Sequence, residues 1–364
     1  MSLQARNRSL DVFKGLLVVL MTYGHVLQFF GDNALFPLES SFELLINLHV
    51  FPGFVFAFGA ATALAYYSKP FKTALPRMAR SALKMLGAFY LSGIAFRVLR
   101  ENKPFASATI RRILLLQDIP GWSEFLVSFT AIAVLGIALY WPLRQLKSKP
   151  VLLLPIGIGL VLLCFLPYDM ITQPVLALFL GTTSYASFPA LQYFPYFLAG
   201  LALVWLKGRG QWALLVLALV SSLGGMARLL YLGEMPSRFP PDFGWILLPA
   251  AGTALLYLLA SGLHSLQLSR FPRLQPLRPL IFLGSHSLYY LLAGNLVLFT
   301  LAGRGIAPLL KFKASGLFGQ PIAAPFGAFL WTVTLLLTAA FVASLIGQRK
   351  GSALHQRVNT NSGA

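Results

Sequence analysis

The 364-residue sequence is 57% hydrophobic and 11% charged, with a mean hydropathy of +0.73, a balance that excludes a set of soluble domains and reads as a polytopic membrane protein. Its formal charge of +19, from 29 Lys and Arg against 10 Asp and Glu, is dispersed between apolar runs, which argues for topology-setting loops and against nucleic acid as a partner. One cysteine, Cys164, excludes an intrachain disulfide framework and a cysteine-based zinc site, and no metal is expected.

Ten apolar runs are long enough to span a bilayer, at about 12–30, 44–66, 82–99, 123–141, 151–167, 189–206, 212–232, 244–263, 280–301 and 325–347. The fold class expected is therefore all-α, an integral membrane helix bundle forming a single domain over 1–347, with a polar, disordered tail over 348–364. No cleavable leader pattern precedes the first run. Connections on the N-terminal side carry nearly twice as many Lys and Arg as those on the opposite side, which predicts both termini in the cytoplasm of a plasma membrane, the inner membrane of a bacterium. The stretch 97–122 runs against this count with five bases. Its RRILLLQDIPGW segment reads as an amphipathic or re-entrant piece at the interface.

Span 1 carries charge where lipid tolerates it poorly. Lys14 and His25 are eleven residues apart, nearly whole turns of an α-helix, so they share a face about 16 Å apart along the axis. Lys14 is about one turn inside the span, with Asp11 three residues earlier, so an ion pair with snorkelling stands beside a functional reading. His25 is deeper, follows Tyr23 and Gly24, and is able to serve as a base near neutral pH; a satisfied core histidine is the alternative.

In span 2, LHVFPGFVFAFGAATAL sets His49 beside Pro52, a possible pocket wall, with Gly53 and Gly59 allowing close helix approach. In span 9, His286 lies among Ser285 and Ser287 in FLGSHSLYYLLAGNLVLF, a pattern that also satisfies backbone groups at a helix entry. No Walker loop, GxGxxG with a following acidic residue, GxSxG elbow or HExxH is present.

The segment SLDVFKGLLVVLMTYGH resembles the first helix of the membrane acyltransferase-3 family, whose motif is an Arg, ten residues, then His. Lys14 takes the Arg position and His25 the His. LHVFPGFVFAFGAATAL is similar to the family's second span, LPRMARSALKML to the basic entry of the third, and FPYFLAGL and FLGSHSLYYLL to later signatures. After SLYYLL, where many relatives have a His, this chain has Ala293, Gly294 and Asn295. VFPGFVFAFG and FPALQYFPYFLAGL are also similar to the transmembrane glucosaminide N-acetyltransferase group.

The resemblance implies an acyltransferase that moves an acyl group, commonly acetyl, from cytoplasmic acyl-CoA to a hydroxyl of a cell-envelope glycan or lipid-linked sugar. It implies His25 as general base or acyl carrier. Lys14, Arg77 and Arg80 would meet the donor phosphates, and Asp11, Tyr23, His49 and His286 would line the pocket. Acyl-CoA is then the donor substrate and membrane lipid the surrounding partner. A transporter or flippase for a sugar or lipid intermediate is the alternative class, although no matching pair of Gly/Pro-broken helices marks two halves. A non-catalytic relative that serves as a scaffold is a third reading.

Overall fold

Helix α1 (Arg8–Phe30) starts where the Asn7 side chain accepts the Leu10 N–H at 3.1 Å, satisfying one of the donors that a helix start leaves open. It ends at Gly31, whose N–H closes on the Leu27 carbonyl. Val12, Phe13, Leu17, Val18 and Val26 are wholly buried along it. An apolar helix covered on most sides is a central one.

The computed structural model describes residues 7–31, 37–270, 275–303 and 327–340. After α1 come α2 (Pro37–Ala65) and α3 (Phe71–Ala95), which runs on through a π-helical turn at Phe96–Arg100. A short α4 (Ser107–Leu114) precedes α5 (Glu124–Ala138) and α6 (Tyr140–Leu146), bent by 73° at their junction. Then follow α7 (Leu153–Val161), α8 (Pro174–Leu180), α9 (Ala190–Trp205) and α10 (Arg209–Leu232). Next are α11 (Phe243–Leu247), α12 (Pro249–Arg270), α13 (Arg278–Ser285) and α14 (Ser287–Gly303), the last two bent by 82°. Helix α15 (Gly327–Ala340) completes the described chain, and no strand occurs among the described residues.

Five helices are long and apolar enough to cross a membrane, or up to seven if each bent pair is one span. The other three expected spans fall on shorter apolar helices, Pro150–Phe165, Ala190–Trp205 and Gly327–Ala340. The protein is thus an all-helical membrane bundle. Helix α10 faces outward with almost nothing buried, exposing Trp212, Val216, Leu223 and Leu230, as a lipid-contacting helix does. The tail 348–364 lies outside the described residues.

Two crossings set the frame. Helix α1 meets α13 where a Cβ on Gly15 would collide with the Leu280 carbonyl and one on Gly284 with that of Asp11. Helix α2 meets α9 in the same reciprocal way, Gly59 against the Phe197 carbonyl and Gly200 against that of Phe56. Small residues let backbones approach this closely, which is how helices pack tightly where lipid supplies no hydrophobic drive. Gly59 therefore does what its place in span 2 predicts, while Pro52 sits within an unbroken α2.

The 97–122 stretch forms the π-turn, α4 and a loop that returns to α5. Arg97 braces it, donating to Asp118 at 2.5 and 3.1 Å and to Glu101 at 2.5 and 2.6 Å. Burial raises the Glu101 carboxyl, but the hydrogen bonds and charges of Arg97 and Lys103 outweigh it and hold the group below its ordinary value. Arg111 and Arg112 are exposed while Ile113 is buried, so α4 is amphipathic, as expected.

Candidate functional site

At the Phe30 end of α1 the bundle opens into a cavity of about 270 Å³. His25 and Gln28 reach it from α1, Asn47, Phe51 and Phe54 from α2, Trp122 and Glu124 from the start of α5, and Arg238 with Phe239 from the connection between α10 and α11. Phe51 and Phe188 stack at 4.0 Å and Phe129 joins them at 5.2 Å, giving the cavity an aromatic wall.

Its polar groups are few and converge. The His25 ring meets Trp122 edge to face at 5.2 Å, and Asn295 of α14 donates from Nδ2 to the Trp122 carbonyl at 3.0 Å. Glu124, 7% exposed, is the first residue of α5, so its carboxylate sits at the N–H end of that helix. A helix start suits an anion there. Its Oε2 has no hydrogen-bond partner and points to unused capacity. Arg238 lies over the Phe188 and Phe239 rings, 5.2 and 4.7 Å from their centroids. Burial pulls its guanidinium below the usual arginine range, opposed by the charges of Glu124, Tyr193 and Glu43. At this depth the guanidinium stays a cation and is stabilised by aromatic faces and the facing carboxylate. Gln28 donates to Glu43 at 2.7 Å and to Asn47 at 3.2 Å at the mouth.

The sequence-predicted residues separate. His25 lies in the cavity. Lys14 pairs with Asp11 at 3.0 Å, side chains 21% and 5% exposed, at the opposite end of α1, and the buried Leu17 and Val18 lie between them and the cavity. Arg77 and Arg80 are exposed on the first turns of α3, at the Lys14 end. His49 is outside the cavity lining: its Nδ1 is 2.8 Å from the Leu45 carbonyl oxygen, and its ring packs on Gly252 of α12. Tyr23 packs on Phe42 and Phe329 at 6.4 and 6.2 Å, also away from the lining. His286 sits exposed at the α13–α14 bend beside Ser285 Oγ, 2.8 Å away.

Glu124, Arg238, Trp122 and Asn295 were not singled out as site residues by sequence. Glu124 is the first residue of an apolar run, where an acid also reads as a helix-start residue, and Arg238 reads as one more loop base. Only the lone acid opening such a run was an available signal. Together the groups supply a base, a buried carboxylate, a fixed cation and two carboxamides against an aromatic wall. That set can remove a proton, orient a polyhydroxyl ring and hold developing negative charge. Among the described residues, no group of three or more His, Cys, Asp or Glu side chains could hold a metal ion.

No family model matches the chain. It is similar to the arabinooligosaccharides transport system permease protein AraQ of Bacillus subtilis (strain 168), 24% identical over 204 residues that make up 54% of this chain and 62% of that protein. The chain thus spans about three-fifths of the length of this curated relative.

Proposed function

We propose that the protein is a membrane acyltransferase of the acyltransferase-3 type, moving an acyl group, acetyl in the simplest case, from acyl-CoA to a hydroxyl of a cell-envelope glycan or lipid-linked sugar. One observation carries the reading: the histidine eleven residues beyond Lys14 opens into a cavity that also holds Glu124 and Arg238. His25 takes the proton of the acceptor hydroxyl as its oxygen bonds the acyl carbon. The carbon–sulfur bond breaks, and the proton leaves with the CoA thiolate as free thiol. Arg238 is the cation nearest to charge developing on the carbonyl oxygen.

The topology that goes with this reading has ten spans, both termini in the cytoplasm of the plasma membrane, and Lys14, Arg77 and Arg80 on the donor side. The test is transfer of label from radiolabelled acetyl-CoA into the glycan and lipid fractions of native membrane vesicles carrying the protein. Wild type transfers label and His25→Ala does not, at equal protein level; equal transfer by both sinks the assignment. A second reading, transport of an oligosaccharide, is favoured by the similarity to a sugar-transport permease. It requires uptake or flipping of labelled oligosaccharide in the same vesicles without any acyl donor.

A further inference from the structure

Helix α10 faces outward along most of its length, yet near its end it carries Arg228, whose side chain is only 8% exposed. A charged side chain on such a helix is costly and turns inward to a partner. The partners of Arg228 bracket one loop. The helix closes at Gly233, whose φ of +69° and N–H bond to the Leu229 carbonyl turn the chain out of α10. Arg228 Nη1 then donates to the Glu234 carbonyl at 2.8 Å, while Nε and Nη2 donate to Asp242 Oδ2 at 3.2 and 2.8 Å. Asp242 is itself fixed: its other carboxylate oxygen takes the Gly244 N–H at 2.7 Å, and its own N–H reaches the Ser237 carbonyl at 3.0 Å. One planar fork therefore holds both ends of the α10–α11 connection, and between those ends lie Arg238 and Phe239 of the cavity.

We infer that Arg228 is a positioning residue for Arg238. The Arg238 side chain rests on the Phe188 and Phe239 ring faces, and its Nε is buried without a hydrogen-bond partner. A long arginine side chain carries its charge out to water when its backbone leaves it free to do so. The guanidinium therefore stays among the rings because the loop backbone is held there, and Arg228 holds the loop. Tyr168 adds a bond to the Pro241 carbonyl at 3.2 Å, which ties the Asp242 end only. Arg228 ties both ends. A lysine at 228 keeps the charge opposite Asp242 but does not reproduce the planar fork that serves a carboxylate and a carbonyl at once. The Glu234 carboxylate, 73% exposed and 3.8 Å from Nη2, is a solvated neighbour that adds little.

The position of Arg238 is read without any activity, and only the kinetic arm rests on Arg238 serving the proposed transfer. The full-length protein, labelled with 13C,15N-arginine and held in lipid bilayers, is observed by proton-detected solid-state NMR, the Arg238 signals being identified by their loss in Arg238→Met. In wild type they are expected to be displaced by the ring currents of Phe188 and Phe239. Arg228→Met and Arg228→Lys are both expected to return them to the ordinary arginine range, with unchanged Arg97 signals as the check on the fold. Arg228→Lys, which keeps the charge, carries the test if Arg228→Met does not fold. Glu234→Ala, which leaves the gripped carbonyl in place, is expected to keep the signals displaced. In the vesicle assay Arg228→Lys is expected to lose up to roughly 100-fold in kcat with little change in KM. The double variant Arg228→Lys/Arg238→Met is expected to be no slower than Arg238→Met, since the first residue acts through the second. Arg238 signals that stay displaced in Arg228→Lys overturn the inference, as do losses that multiply in the double variant. Signals that move as expected in a protein that transfers no label overturn the proposed function and leave the positioning role standing.

Discussion

The His25 and Trp122 rings meet edge to face with centroids 5.2 Å apart, and Trp122 reaches that contact from a backbone with φ of +65°. A bulky non-glycine residue in the left-handed region costs on the order of 1–3 kcal/mol, which the surrounding loop has to offset. Trp122→Gly relaxes the backbone and removes the ring, whereas Trp122→Phe keeps a ring. Trp122→Phe is expected to retain most turnover in the vesicle assay. Trp122→Gly is expected to lose about tenfold or more while keeping its thermal midpoint, because ring loss frees the imidazole as backbone strain is relieved. A lowered midpoint with unchanged turnover would show that the ring only packs.

The brace behind that loop predicts a pH dependence. The Glu101 carboxyl sits below its ordinary value because hydrogen bonds and charge from Arg97 and Lys103 outweigh burial. A depressed carboxylate stabilises the fold fully above its unfolded pKa, about 4.3, and the stabilisation is lost as pH falls through the lower folded value. Hydrogen exchange over residues 101–118 should be level from neutral pH down to about 5 after correction for intrinsic rate, and rise below about 4. Arg97→Ala should show the faster exchange already at neutral pH. No difference between the variant and wild type would mean that the four contacts of Arg97 do not hold the loop.

The Lys14–Asp11 pair separates packing from donor binding. Asp11 is nearly buried and Lys14 partly so. Removing the lysine takes one counter-charge from the nearly buried Asp11 carboxylate, and with Lys14 partly solvated a loss of about 1–2 kcal/mol is expected, below the range for a fully buried pair. Thermal inactivation in detergent should therefore come earlier in Lys14→Ala than in Lys14→Arg, which keeps the charge. Acetyl-CoA affinity gives the second axis. If Lys14 meets donor phosphate, Lys14→Ala loses affinity together with stability, and Lys14→Arg keeps both.

Much of the frame was legible because it depends on local chemistry: apolar run length finds the helices, and small residues such as Gly59 mark close crossings. His25 was legible because one face of one helix is determined by spacing alone. The rest of the cavity was not, since Glu124, Arg238 and Asn295 come from α5, the α10–α11 connection and α14, and no periodicity within one segment tells which segments meet. His49 and Tyr23 show the same limit in reverse. Their positions in spans 1 and 2 are polar and deep, yet the rotation of each helix aims them at Gly252 and at Phe42, outside the cavity lining. The short apolar helices also explain why hydropathy alone counts more spans than five to seven.

The reciprocal glycine crossing of α2 and α9 predicts a sharp steric limit. A side chain at Gly200 would enter the Phe56 carbonyl and the backbone of Gly59 and Ala60. Backbone cannot move aside as a flexible side chain does, so Gly200→Ala should already lower the thermal midpoint, and Gly200→Leu should fail to give a monodisperse protein. Gly262, with open space around it, is the control: Gly262→Ala should be neutral or slightly stabilising within its helix.

Glu124 and Arg238 make the last prediction, because each neutralises the other's burial. Truncating one leaves a charge in an aromatic cavity without its counterpart, which is more damaging than losing both. Arg238→Met alone leaves the Glu124 carboxylate at the start of α5 without that cation, and Glu124→Gln alone leaves the guanidinium over Phe188 and Phe239 with weaker charge balance. The double variant should therefore be more stable than the sum of the single losses, with a coupling of about 1–3 kcal/mol in thermal or denaturant unfolding. Acyl transfer should not follow the same cycle. If Arg238 stabilises charge on the reacting carbonyl, the double variant stays as slow as Arg238→Met, while its stability recovers. Recovery of both together would make the pair structural and leave His25 as the cavity's acting group without Arg238.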